Sequence, residues 1–199
     1  MGAFAGLTLL VVTTSSLEID LQITKVIQWI ALPPFALLMR MVSWPGFNPQ
    51  VVIIAGLIIM VLYALGLRWE AAMALTAAVS STAINLLLKD LIQRPRPLPD
   101  QVTVFASLTS FSFPSGHVMF YVGFFGFLGF LAYQLLKPSL GRSLLLAFFG
   151  GLVFLIGLSR IYLGQHWASD VVAAYLLGGL TLIAIIQVYL WGRTRFFVR

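Results

Sequence analysis

Apolar residues in this chain run in long, nearly unbroken stretches, and the few polar residues collect at the ends of those stretches instead of alternating with them. Runs near twenty residues match a helix crossing a hydrocarbon core about 30 Å thick, and a helix satisfies its own backbone hydrogen bonds where lipid offers no partner. The pattern predicts spans at roughly 50–67, 71–90, 116–136, 143–159 and 168–191. The opening run, GAFAGLTLLVVTTSSL within Met1 to Leu17, has about the minimum spanning length and predicts a short first span. Residues 18–48 mix charges with apolar positions, and Ile23, Val26, Ile27 and Ile30 fall at helical spacing until Pro33 and Pro34 interrupt them. Two short helices lying in the membrane interface are expected there. The stretch QRPRPLPDQVTVFASLTSFSFP is too polar and proline-rich to cross, and the short alternating segments of a β-barrel do not occur. The expected fold is all-α: a six-helix transmembrane bundle with short interfacial helices between the first and second spans, forming a single domain over residues 1–199.

Composition strengthens this reading and narrows the chemistry. The chain is 60% hydrophobic and 9% charged, against about 25% charged in an ordinary soluble domain, and its mean hydropathy is +1.01. The absence of cysteine excludes disulfides, thiolate metal ligands and a cysteine nucleophile. The net charge of +6 does not point to nucleic acid, because the cations are scattered at the ends of apolar runs. Six spans put both termini on one side. Arg68, Lys137, Arg142, Arg193, Arg195 and Arg199 share that side with Glu70 as its single acid, whereas Lys25, Arg40, Lys89, Arg94, Arg96 and Arg160 face five acids on the other. The positive-inside rule makes the first side cytoplasmic. Gly123, Gly126 and Gly129, at spacing three, are read as a close helix-packing surface.

Three polar clusters interrupt the spans, all on the outer side: KDLIQRPRP, PSGH at residues 114–117, and SRIYLGQHWASD at residues 159–170. Lys89, Arg96 and Arg160 place permanent cations near the bilayer on the face that positive-inside sorting depletes, so an anion should meet them. Guanidinium groups grip phosphate oxygens in pairs and an ammonium acts as a point charge, which suits a phosphoryl group. Ser115 and Gly116 open a helix, where free N–H groups and the dipole favour an anion and glycine permits close approach. His166 and Asp170 lie four apart on one helical face, so the carboxylate can orient the imidazole as a nucleophile toward phosphorus. His117 is the histidine that remains to act as general acid. Arg94 is read as a cation snorkelling at a helix end, and Tyr162 and Trp167 as interfacial aromatics. Too few carboxylates cluster here for a two-metal site, so no metal or other cofactor is expected.

The three motifs, K-(six)-RP, PSGH and SR-(five)-H-(three)-D, stand complete in order and spacing, and over roughly residues 18–192 the chain resembles the type-2 phosphatidic acid phosphatase superfamily. A familiar variant of the third motif carries proline where this chain has Ala168. The resemblance implies a six-helix, metal-independent membrane phosphatase working through a phosphohistidine. It also implies roles: Lys89, Arg96 and Arg160 bind phosphate with Ser115 and the Gly116 amide, His166 attacks, Asp170 orients it, and His117 protonates the leaving alcohol. Ser159 is assigned a hydrogen bond within the site. The expected activity is hydrolysis of a lipid phosphate monoester, of the phosphatidic acid or phosphatidylglycerol phosphate type, at the outer face of a bacterial inner membrane. Undecaprenyl pyrophosphate hydrolysis and phosphoryl transfer to a second acceptor are the alternatives.

Overall fold

The structure, a computed structural model, describes residues 2–14, 18–106 and 108–197. Met1 and residues 15–17 of the opening run, and Arg199 of the charge balance, lie outside the described residues. Among those described the chain is helical without strands: α1 (Gly2–Thr13), α2 (Glu18–Gln28), α3 (Pro33–Ser43), α4 (Gln50–Ala64), α5 (Arg68–Ile92), α6 (Gly116–Phe120), α7 (Gly126–Leu135), α8 (Leu140–Tyr162) and α9 (Ala168–Gly192). A π-helical turn, Tyr121–Phe125, joins α6 to α7, so that Gly116–Leu135 runs as one span.

Four helices are long and apolar enough to cross a membrane alone: Arg68–Ile92, Gly116–Leu135, Leu140–Tyr162 and Ala168–Arg195. These reproduce the last four expected spans. The expected span at 50–67 is more broken. α4 has 15 residues, about 22 Å at 1.5 Å per residue, and reaches the length test only together with Pro33–Gly46, to which it is bent by 64°. Counting each bent pair as one span brings the total to six. Pro33 and Pro34 start α3 instead of ending α2 in mid-turn, occupying its first helical positions, where a missing N–H costs nothing.

Large apolar side chains project outward along these helices. Phe154 is 74% exposed and Leu87 61% exposed, an arrangement that water penalises and lipid tails accept. The interior is aromatic where the π-helical turn passes through it: Phe120, Tyr121, Phe124, Phe125 and Phe127 are buried together. Tyr121 donates its hydroxyl hydrogen to the Val42 carbonyl at 2.7 Å, and Ser159 donates to the Met39 carbonyl at 2.6 Å. Both bonds fasten α3 to the bundle, and that of Ser159 is its structural position. The glycine series packs as expected: a Cβ on Gly123 would run into the Ser81 hydroxyl of α5, and one on Gly126 would come within 2.9 Å of Leu182 on α9.

Candidate active site

Chain reversals at one end of the bundle bring the three motifs together. α5 delivers Lys89 in its last turn and stops at Gln93, whose φ of 52° turns the chain into the proline-rich loop. That loop runs from residue 93 to the start of α6 and has no regular structure among its described residues. Asn85 on α5 donates to the Pro114 carbonyl at 2.9 Å, and a Cβ on Gly116 would lie only 2.9 Å from the same Asn85 side chain. The glycine of PSGH is therefore favoured by packing against Asn85. α8 ends one residue pair beyond Arg160, and the turn to α9 passes through Gly164, with φ of 65° and the Thr103 carbonyl standing where a Cβ would lie. No other residue fits there.

α9 then opens with its third helical residue, Asp170, accepting the Trp167 amide at 2.9 Å, a cap that fixes the carboxylate before any chemistry is considered. Oδ2 of Asp170 also accepts from the Ser112 hydroxyl at 2.5 Å and lies 3.6 Å from Nδ1 of His166. Ser112 Oγ is 3.5 Å from the same ring nitrogen. With Nδ1–H facing these acceptors, Nε2 presents its lone pair outward, where a guanidinium nitrogen of Arg96 stands at 3.2 Å. Burial pushes the His166 imidazole well below its ordinary 6.5, and Arg96, Arg160 and Lys89 push it further against an opposing hydrogen bond from Ser112. The ring is accordingly neutral at pH 7, with the lone pair of Nε2 on the side of the cations.

Arg96 and Lys89 are held by backbone carbonyls, not by acids. Arg96 donates to the Ser110 carbonyl at 2.6 Å, the Gln165 carbonyl at 2.5 Å and the Phe111 carbonyl at 3.1 Å. Lys89 donates to the same Phe111 carbonyl. Burial lowers the Arg96 guanidinium to about 10, which leaves it charged at neutral pH. Arg160 is 0% exposed. One of its nitrogens donates to Ser43 Oγ at 2.6 Å and its Cζ lies 5.2 Å from the Phe47 ring centre, while Nε and the second terminal nitrogen have no hydrogen-bond partner among the described residues. The hydroxyl of Ser115 and Nε2 of His117 are likewise buried without a partner. Buried polar groups are ordinarily satisfied, so unpaired donors converging on one place mark where an acceptor belongs.

Lys89, Arg96, Gly116, His117, Arg160 and His166 all line one cavity of about 720 Å³. Ser115 and Asp170 are buried just outside its wall, Asp170 behind His166. From this polar end the cavity continues between α4 and α5, along Leu86, Val79 and Leu75 on one side and Val52, Ala55 and Ile59 on the other.

Sequence reasoning missed several participants. Arg94 does not snorkel: it is 2% exposed and bridges two carboxylates, Asp170 at 2.5 Å and Asp20 at 2.8 Å. These contacts join positions 76 and 74 residues apart, beyond any local pattern. Ser112 gave no signal outside its neighbourhood to PSGH. Trp167 and Tyr162 are buried, and the Trp167 indole donates to the Pro95 carbonyl at 3.1 Å, so neither is an interfacial anchor.

Comparison with known proteins agrees with this fold. A family model described as the PAP2 superfamily matches residues 69–193. Phosphatidylglycerophosphatase B of Bacillus subtilis (strain 168) is 32% identical over 121 residues, 59% of this chain and 57% of that protein, so the chain matches little more than half of that relative's length. Among solved structures, that of a transmembrane PAP2 type phosphatidylglycerolphosphate phosphatase from Bacillus subtilis is similar with a TM-score of 0.83 at 24% identity, covering 98% of this chain and 95% of its own. Aquifex aeolicus LpxE is similar with a TM-score of 0.68 at 20% identity, over 87% and 98%. At these identities the two structures establish the likeness of fold.

Proposed function

The chain belongs to the PAP2 superfamily, and from that membership we propose that it hydrolyses a lipid phosphate monoester at the outer membrane face through a phosphohistidine. The observation that carries the proposal is the single cavity joining unpaired phosphate-binding donors to an apolar groove. Its lining residues on α5, from Leu75 to Lys89, follow one helical face over about 21 Å, more than the roughly 15 Å depth of one leaflet's hydrocarbon. A lipid can lay its phosphate among Lys89, Arg96 and Arg160 and its chain between α4 and α5. Phosphatidylglycerol phosphate is the favoured lipid, in keeping with the name of the 32% identical relative.

In the first step Nε2 of His166 attacks phosphorus, an N–P bond forms, the ester P–O bond breaks, and the leaving oxygen takes a proton from protonated His117. The dianionic substrate beside His117 stabilises that protonated form. The positive charge developing on the His166 ring faces Asp170. In the second step His117 accepts a proton from water as it attacks phosphorus, the N–P bond breaks, and inorganic phosphate leaves. No metal is required, since Asp20 and Asp170, the acids buried beside the site, are already bound to Arg94. The Arg96 and Arg160 guanidiniums supply the charge stabilisation that a metal ion gives elsewhere.

Phosphate release from phosphatidylglycerol phosphate, phosphatidic acid and undecaprenyl pyrophosphate, with and without chelator, tests the proposal. Turnover fastest on the first and unchanged by chelator is expected. Release from none of the three would overturn the phosphatase reading, and loss with chelator would overturn the metal-free mechanism. The groove has its own test. A Cβ on Gly56, which lines the groove, meets nothing within 4 Å, so Gly56→Leu adds apolar bulk at the groove wall from an unobstructed Cβ. This variant should raise KM for a long-chain lipid phosphate about tenfold, roughly 1.4 kcal/mol of lost chain contact, while leaving hydrolysis of a short water-soluble phosphate ester unchanged.

A further inference from the structure

We infer that Arg94 and Asp20 form a positioning pair that keeps Asp170 aimed at His166 and keeps a net negative charge behind it. The geometry divides the Asp170 carboxylate between two tasks. Oδ1 accepts from Arg94 at 2.5 Å. Oδ2 accepts from the Trp167 amide and the Ser112 hydroxyl and faces the His166 ring. With one oxygen held by a guanidinium, the carboxylate cannot rotate away from the imidazole.

Arg94 on its own would defeat the purpose of Asp170, because a neutral Arg–Asp pair offers little to an imidazole that becomes positive as its N–P bond forms. Asp20 restores the balance. It accepts from Arg94 at 2.8 Å, from the Ser169 amide at 2.8 Å and from the Ser169 hydroxyl at 2.6 Å. The Ser169 hydroxyl in turn accepts from Arg94 at 2.7 Å. Two carboxylates around one guanidinium leave a single negative charge on the side of His166 away from Lys89, Arg96 and Arg160. All three charged groups are buried, with Asp20 1% and Asp170 0% exposed, so these charges act with little solvent screening. The assembly brings α2 into the catalytic machinery: a residue near the chain's beginning acts through two others on the nucleophile. A triad kept only for folding would not need its Asp170 oxygen shared with the imidazole.

The inference rests on the phosphatase reading, and the test separates the two. Wild-type protein, Asp20→Asn, Asp170→Asn and the double variant are compared on one lipid phosphate in detergent micelles, using folded, monodisperse fractions. Asp20→Asn keeps the shape and removes the charge; it should lower kcat about thirtyfold with KM within about threefold of wild type. Asp170→Asn should lower kcat further, and the double variant should be no slower than Asp170→Asn alone, because Asp20 acts through Asp170. A wild-type kcat in Asp20→Asn, or a double variant slowed by the product of the single effects, would overturn the inference. If Asp20→Asn does not fold, Ser169→Ala carries the comparison, with kcat about fivefold lower at constant KM expected and an unchanged kcat overturning it. Wild-type protein that releases no phosphate would overturn the phosphatase reading, and this inference with it.

Discussion

His166→Ala should abolish phosphate release from every lipid phosphate the wild-type protein accepts, with kcat falling about 10⁵-fold, the scale on which loss of a covalent nucleophile is felt. The substituted side chain is 1% exposed, and its removal leaves the cations, the groove and the Asp20–Arg94–Asp170 triad in place. Substrate binding should therefore survive, with KM changed by only a few fold. A steady-state assay that returned a kcat within tenfold of wild type would show that another group attacks phosphorus. His117 makes a useful contrast. In the proposed mechanism it moves protons and forms no bond to phosphorus, so its loss should be felt less with a substrate whose leaving oxygen is a good leaving group.

Arg160→Met should move activity and stability in opposite directions. The native guanidinium is fully buried, has one hydrogen bond to Ser43, and meets no carboxylate among the described residues. Without ligand such a cation is a burden to the fold, because its desolvation is not offset by a paired charge. With phosphate bound, its two unpartnered nitrogens acquire charged acceptors in a site shielded from water. Replacing it by an apolar side chain of similar length should raise the apparent Tm by about 3 °C, roughly 1 kcal/mol for a chain this long, while kcat/KM falls about 10³-fold, roughly 4 kcal/mol. Thermal unfolding in detergent and lipid phosphate turnover, measured on the same preparation, check both signs. A variant that lost stability as well as activity would mark Arg160 as a structural residue.

The cavity-lining site residues were legible in the sequence because the chain keeps each beside its own helix end. Lys89 closes α5, His117 opens α6, Arg160 closes α8 and His166 precedes α9, so motif spacing read along the chain carries over to one face of the bundle. The four long spans were legible for a similar reason: sustained apolar length is a local property. What escaped was non-local. Arg94 stands two residues before Arg96, and each is followed by a proline, yet Arg96 turns to carbonyls and the cavity while Arg94 turns inward to Asp20. The partner lies on a helix whose mixed charge pattern suggested an interfacial segment. Ser112 and Asn85 act through loop closure between distant segments and leave no periodic trace. The broken span at 50–67 escaped because hydropathy is blind to a bend: Pro45, Gly46 and Pro49 signal one, but not its angle.

Alkaline rapid-quench of the wild-type enzyme turning over a lipid labelled at the phosphate, followed by peptide mapping, reports the proposed covalent intermediate itself. A base-stable, acid-labile label on the peptide containing His166, absent from His166→Ala and chased away on further turnover, is the expected result. Full catalytic turnover with no label at any quench time, or a label that persists in His166→Ala, would contradict nucleophilic catalysis by His166.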